Sequence, residues 1–588
     1  MNFNIGGINF TAKTDYKLTM TGAKSEDGCL KIKISAMLPE KRVPEKVRID
    51  WDIPLGDIIS QWSPAIDFDS MLKKELMPEW QPIKVRSRSA AGIPMLLHLN
   101  PAGISRIATA LKDIKTPCEI HAGVSEETAC IHFRLFLFTE PISEISEYET
   151  ELWIDTRALP FYEAADAVQK RWANDFKEAH VPHEAAMPMY STWYSMHQRL
   201  ETNDLIAELK LAKEYGMDTV IVDDGWQTDD NSRGYAYCGD WEPTPGKIPD
   251  MKALVDAVHE LGMKYMMWYS VPFVGVHSKA YERFKGMYLS DLGNGTCVLD
   301  PRYPEVRSYL CKIYEDAVKN WGLDGLKLDF IDAFALSDQS SSPNPRMDYA
   351  SLEDAVCALL AEVKQNLAKL NPEILIEFRQ SYVGPVMRSY GNMFRVVDCP
   401  ADAIKNRVCG LNLRFSSGGS VIHSDMLMWH ADASPEAAAQ QILNIMFLVP
   451  QISVRIEKLP EEHKKMLKFY MDLWRANREC LLFGKLTAEA PEASYSLAAA
   501  EYNGEYFAVT YSKNYIRTDK SFDKITVING AWSDITILDN RESAYAAHVR
   551  ITDCMGNVTA EFDGEITGGL NTFEIPCSGT AEIIKNPA

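Results

Sequence analysis

The sequence lacks any run of the roughly 18 to 20 apolar residues that a helix needs to cross a bilayer, so no membrane-spanning helix is expected. Its first residues, MNFNIGGINFTAKTDYKL, lack the basic start, apolar core and small-residue cleavage site of a signal peptide. The 12 cysteines form no CxxC pair and no zinc-type cluster. Scattered in this way they read as reduced, mostly buried thiols of a cytoplasmic protein, and no metal or organic cofactor is expected. Positive charge is short as well: 61 Lys and Arg stand against 82 Asp and Glu, a formal net charge of -21. Such a surface repels nucleic acid and anionic lipid, so neither is an expected partner, whereas a neutral substrate is compatible with it. Internal repeats, low-complexity tracts and long linkers are missing too.

What is present is the composition of a folded globular protein, with 46% hydrophobic and 24% charged residues. A chain of 588 residues exceeds one ordinary domain, and its patterning changes twice along its length. Residues 1 to about 180 read as short alternating strands, as in TDYKLTMTGAKSEDGCLKIKISAML, ACIHFRLFLF and YETELWIDT, with one helix expected near Pro101–Lys112. Together they suggest an antiparallel β-sandwich. From 181 to 480 short apolar strands alternate with amphipathic helical runs such as NDLIAELKLAKEYG and DMKALVDAVHELG. Eight candidate strands (188–194, 218–224, 264–270, 325–331, 373–380, 393–399, 420–426 and 451–457) fit a (β/α)8 barrel. Residues 460–478 read as a helix, and 481–588 as a small C-terminal β-sandwich. The fold class expected is therefore a central TIM barrel flanked by two all-β domains.

In such a barrel the chemistry sits at the C-terminal strand ends. Polar groups recur there: Asp223 and Asp224 after VIV, Lys327 and Asp329 in LKLDF, Glu377 and Arg379 in LIEFR, Arg395 and Asp398 in FRVVDC, His423 and Asp425 in VIHSD. A lone aspartate closing a strand is most often a helix cap, and Asp332 and Asp425 read as caps or salt-bridge partners. The joint pattern reads as a constructed site, because unpaired carboxylates are costly to bury. Lys327 and Asp329, two apart on a strand, share a face, and an ammonium beside a carboxylate favours its ionised form, which suits a nucleophile. Asp398 is then the candidate acid, expected to be held protonated by burial or a nearby like charge. Trp193, Trp226 and Trp268 could stack on a pyranose, although core packing is at least as common a role.

The segments STWYS, VIVDDGWQ, WYSVP, LDPRYPEV, WGLDGLKLDFID, FRVVDCPADAIKNR and HSDMLMWH give residues 190–480 a resemblance to the α-galactosidases of glycoside hydrolase family 36, and more distantly to family 27, in the melibiase clan. The resemblance implies Asp329 as nucleophile and Asp398 as acid/base. It implies Asp223 and Asp224 as ligands of the galactose hydroxyls, with Lys327 and Arg395 beside them and Trp193 and Trp268 as aromatic walls. Trp62, in SQWSP, is similar to a tryptophan that the N-terminal domain lends to the site. Two segments depart from the pattern. EFRQSYVGP replaces a Cys, a Gly-rich turn and an Arg, which would place Glu377, Phe378, Arg379 and Gln380 near the sugar's C2. DCPAD sets the second acid, Asp402, one residue further on than usual.

The activity implied is hydrolysis of terminal α-galactosides, with an oligosaccharide or glycoside as partner. The alternatives are the same chemistry on another α-glycoside such as an N-acetylgalactosaminide, transglycosylation, or a non-catalytic sugar-binding protein. The resemblance permits monomers and homo-oligomers alike.

Overall fold

The computed structural model describes residues 1–64 and 74–587. Two antiparallel seven-stranded sheets form the N-terminal part. Alternation explains them: along Leu30–Arg42 every second residue from Leu30 to Leu38 is buried, the period a one-sided strand requires. Their shared core includes Phe10, Trp51 and Phe133, with Trp51 stacked on Phe133 at 5.0 Å between ring centroids.

The helix expected near Pro101–Lys112 is instead the strand Ile104–Leu111. Its alanines and leucine favour helix locally, but it lies between Met95–Leu99 and Ile145–Asp155 and pairs with both. Burial in the middle of a sheet overrides a propensity worth only tenths of a kcal/mol per residue, roughly.

Eight parallel strands close the central barrel in chain order: Met189–Ser191, Thr219–Val222, Lys264–Ser270, Gly325–Asp329, Leu375–Arg379, Met393–Arg395, Val421–Leu427 and Val449–Ile452. They are buried on both faces, which is why they read as continuous apolar runs. The first is shorter than its apolar pattern, because the Ser191 side chain accepts from Trp193 N–H and starts the helix Thr192–Met196. The last begins two residues before its expected start and gives way to a 3-10 turn at Ile456–Lys458. Asp250, Ser351 and Ser434 cap the helices that follow them, each contributing about 1 kcal/mol. A small antiparallel sheet of Phe273–Gly275, Tyr288–Asp291 and Thr296–Leu299, unforeseen from the sequence, follows the third barrel strand. Among the described residues no helix is long and apolar enough to cross a membrane.

The helices Glu461–Ala476 and Arg478–Phe483 lead to a C-terminal seven-stranded sheet and a companion three-stranded sheet. Trp62 sits where all three parts of the chain meet. It is fully buried, its Nε1–H is shared between Asn412 Oδ1 (3.0 Å) and Tyr495 OH (2.8 Å), and its ring lies 5.8 Å from Phe161. Trp62→Ala is expected to cost about 3–5 kcal/mol of stability through the cavity it leaves. Thermal unfolding should show the loss while KM for a hydrolysed glycoside stays unchanged.

Candidate active site

Register brings the site together. Ser270 pairs with Asp329, Trp268 with Lys327, Lys327 with Glu377, Arg379 with Arg395, and Arg395 with His423. Because side chains alternate along a strand, Lys327 and Asp329 share one face, as do Glu377 and Arg379.

Asp329 is buried at 6% exposure and accepts from four donors. Trp268 Nε1 donates to Oδ2 at 2.9 Å, while Arg379 Nε (2.7 Å), Tyr382 OH (3.0 Å) and the Phe330 N–H (2.8 Å) donate to Oδ1. Burial raises its proton affinity, but the Arg379 and Lys327 charges and the Trp268 hydrogen bond together hold the carboxyl well below the usual range. The expected partnership with Lys327 is thus electrostatic, since the Lys327 ammonium donates to Asp223 Oδ2 at 2.6 Å. Arg379 is the direct cationic partner, with its guanidinium over the Phe330 ring at 5.0 Å and the Tyr382 ring at 5.5 Å.

Asp224 receives Gln198 Nε2 at 2.7 Å and Gln227 Nε2 at 2.8 Å. Burial above all, and the neighbouring Asp223 charge, push its pKa up to about 6 against those hydrogen bonds. Asp223 and Asp224 are both 3% exposed and lie in adjacent positions just past the second strand.

Asp398 follows the sixth strand, and its side chain keeps 46% exposure. Arg395 donates to its Oδ1 at 2.8 Å. The expectation of a raised pKa is overturned for this resting state: burial and the Asp329 charge push upward, but Arg395 and Lys327 outweigh them and hold Asp398 below its ordinary value.

Aromatic groups surround these carboxylates. Trp268 stacks on Tyr235 at 6.2 Å, and Phe330 packs against Phe273 at 4.7 Å. Trp193 lies in the short helix past the first strand, half-buried, with the Arg233 guanidinium 5.6 Å over its ring. Trp226 is fully buried and donates to the Trp268 carbonyl at 3.0 Å, a core role.

Other residues lie elsewhere than the sequence suggested. Trp62 is in the domain junction described above, not at the barrel mouth, because its indole N–H is taken by Asn412 and Tyr495. Asp402 is exposed and caps the helix Ala403–Arg414, accepting from Lys405 N–H at 2.9 Å. Of the four residues expected near a sugar's C2, only Arg379 reaches the Asp329 carboxylate. Glu377 is fully buried, with Oε1 3.7 Å from Arg395 Nε. Gln380 Oε1 accepts from Val397 N–H at 3.0 Å, and Phe378 packs near Tyr382 and Phe394. A cavity of about 530 Å³ lies beside Gly418–Ile422, at the N-terminal end of the seventh strand and away from these groups.

Sequence reasoning missed Tyr382, Gln198, Gln227 and Arg88. The first three stand on loops, where no periodicity marks them. Arg88, from the N-terminal sandwich, donates to the Phe334 carbonyl (2.6 Å) and the Asp332 carbonyl (2.8 Å), gripping the turn after Asp329.

The melibiase family model matches residues 174–484, just over half of the chain. The chain belongs to the melibiase family. It is 28% identical over 153 residues to the α-galactosidase Mel36A of Lactobacillus acidophilus, a match covering 24% of this chain and 20% of that protein. It is 26% identical over 176 residues to an A type blood α-D-galactosamine galactosaminidase of Flavonifractor plautii, covering 26% and 15%. These matches thus span a fifth or less of the relatives' lengths. In fold, this melibiase-family chain is similar to a variant of the GH36 α-galactosidase AgaA of Geobacillus stearothermophilus solved in complex with stachyose. The TM-score is 0.65 at 14% identity, over 99% of this chain and 82% of the other.

Proposed function

We propose that this protein is a retaining exo-glycosidase that releases terminal α-galactosyl groups by double displacement. The observation that carries the reading is Asp329: a buried carboxylate kept ionised and aimed by Trp268, Arg379, Tyr382 and the Phe330 N–H, at a barrel mouth that also presents Asp398. Asp329 attacks the anomeric carbon as the bond to the departing oxygen breaks, and Asp398 supplies that oxygen's proton. Asp398 then takes a proton from water, whose oxygen displaces Asp329 and restores the α configuration. Atoms and protons balance with two carboxylates and water alone. Asp223, Asp224 and Lys327 supply hydroxyl ligands for the sugar, with Trp193 and Trp268 as walls.

The relative that acts on a galactosamine glycoside gives the second reading, the same displacement on a 2-amino or 2-acetamido sugar. A panel of nitrophenyl α-glycosides separates them: galactoside, galactosaminide, N-acetylgalactosaminide and glucoside. Release from the galactoside above the others is expected. Release from a 2-amino or 2-acetamido glycoside instead moves the substrate and keeps the mechanism. Silence on every member, with natural α-galactosides also intact, overturns the enzymatic reading. Proton NMR of the first product decides the stereochemistry, an initial β-sugar being incompatible with retention.

A further inference from the structure

Arg395 is the only cation in direct contact with Asp398 among the ion pairs of the described residues, yet it is shared. One arm of its guanidinium bonds Asp398 Oδ1 at 2.8 Å, and the other bonds Asp425 Oδ1. Asp425 lies on the seventh strand and is fully buried. Its Oδ2 accepts from the Cys399 N–H at 2.6 Å and from Tyr194 OH at 3.0 Å. Its own backbone is fixed by Asn406, whose Oδ1 accepts from the Asp425 N–H at 3.0 Å. Asp425 therefore holds both the partner of Asp398 and the peptide unit that follows it.

We propose that Asp425 is a positioning residue for the acid/base: by holding one arm of Arg395 and the Cys399 N–H, it competes with Asp398 for the guanidinium and so lets Asp398 carry the proton that it gives to the departing oxygen. This rests on the retaining glycosidase reading. The argument is one of charge. Asp398 and Asp425 share one guanidinium, and Glu377, also fully buried, faces the Nε of the same group at 3.7 Å. Two fully buried carboxylates and the half-exposed Asp398 compete for one guanidinium, so the three titrate as a unit. Lys327 adds positive charge from the fourth strand. Tyr194 contributes a hydroxyl donor after the first strand, burial keeps the Cys399 thiol protonated, and burial pushes His423 down to about 3 and hence neutral.

The direction of the competition follows. With Asp425 ionised, Arg395 is divided and Asp398 retains affinity for a proton. With Asp425 neutral, Arg395 turns wholly to Asp398 and holds it ionised, useless as an acid. Burial, and then the charge of Asp398, push Asp425 up to about 6 against Arg395, while Asp398 is held below its ordinary value, so the two carboxylates that share the guanidinium shift in opposite directions. A bound sugar that covers the half-exposed Asp398 shifts the balance toward a proton on Asp398.

The test is Asp425→Asn, which keeps the shape and removes the charge, with Asp425→Ala as the cruder partner. Thermal unfolding first establishes that each variant folds. A general acid works only below its pKa, so the alkaline limb of the kcat/KM profile reports Asp398 in the free enzyme. Asp425→Asn is expected to move that limb to lower pH by about one unit or more, the usual effect of a full opposite charge. Natural glycosides should lose about 100-fold in kcat while activated aryl glycosides lose less than about 10-fold. An equal loss on both classes with an unmoved limb is the mark of a merely structural residue and overturns the proposal. A second measurement needs no substrate: carbon-13 titration of labelled aspartate carboxyls, assigned with Asp398→Asn, in the wild-type and Asp425→Asn proteins. A fall in the Asp398 pKa supports the competition even if the wild-type protein hydrolyses nothing, which would sink only the enzymatic reading. An unchanged Asp398 pKa overturns the competition whatever the activity.

Discussion

Asp329→Ala is expected to lower kcat by about 10,000-fold or more on every glycoside the wild-type enzyme cleaves, with the fold retained. The size follows from what Asp329 supplies. In the proposed mechanism it forms the bond that replaces the departing one, with its carboxylate held in place by Trp268, Arg379 and Tyr382. A smaller side chain leaves a space the size of an anion, ringed by the same donors. Azide placed there attacks from the face that Asp329 used, so an activated α-glycoside should yield a glycosyl azide of β configuration. Circular dichroism and thermal unfolding establish the fold, and product NMR reads the configuration. Turnover above a hundredth of the wild-type rate, or an α-azide, would remove Asp329 from the role of nucleophile.

Asp398→Ala should behave differently because, in the proposed mechanism, it removes the proton donor and leaves the nucleophile in place. Natural glycosides, whose departing oxygen needs a proton, should lose about 100- to 10,000-fold in kcat. A dinitrophenyl glycoside, whose leaving group departs as an anion, should keep the first step and accumulate the glycosyl-enzyme. Azide then intercepts that intermediate from the opposite face, so turnover rises and the product is the α-azide. The two variants thus give azides of opposite configuration, an outcome that a shared structural defect does not produce. Full activity of Asp398→Ala on natural glycosides would falsify the acid/base assignment.

Much of this site was legible because strands announce themselves. Lys327 and Asp329 stand two apart in an apolar run, and period-2 geometry puts them on one face without any knowledge of the fold. The eight barrel strands were legible as short continuous apolar runs between amphipathic helical stretches. Loops offered no such rule: Tyr382 reaches Asp329 across 53 positions of chain, and nothing in QSYVGP marks it. Asp425 was read as a cap or a salt-bridge partner, and the choice between the two was illegible because a sequence displays one carboxylate at a time and its pairing with Arg395 exists only once the sixth and seventh strands lie side by side. Trp62 and the strand Ile104–Leu111 failed in the same way. Local identity suggested one role, and the neighbours supplied by distant chain imposed another. The direction of the Asp398 shift was unreadable too, since burial and Arg395 oppose each other and only distances tell which wins.

The grip of Arg88 on the turn after Asp329 bears on the order of assembly. The carbonyls it holds lie 244 and 246 residues further along the chain, so the contact forms only when two distant parts of the chain have come together. Units of a large chain fold first and dock afterwards. A barrel that has closed its eight strands before the sandwich docks still lacks the clamp on that turn. Refolding followed in parallel by circular dichroism and by activity is therefore expected to show the native spectrum returning before activity.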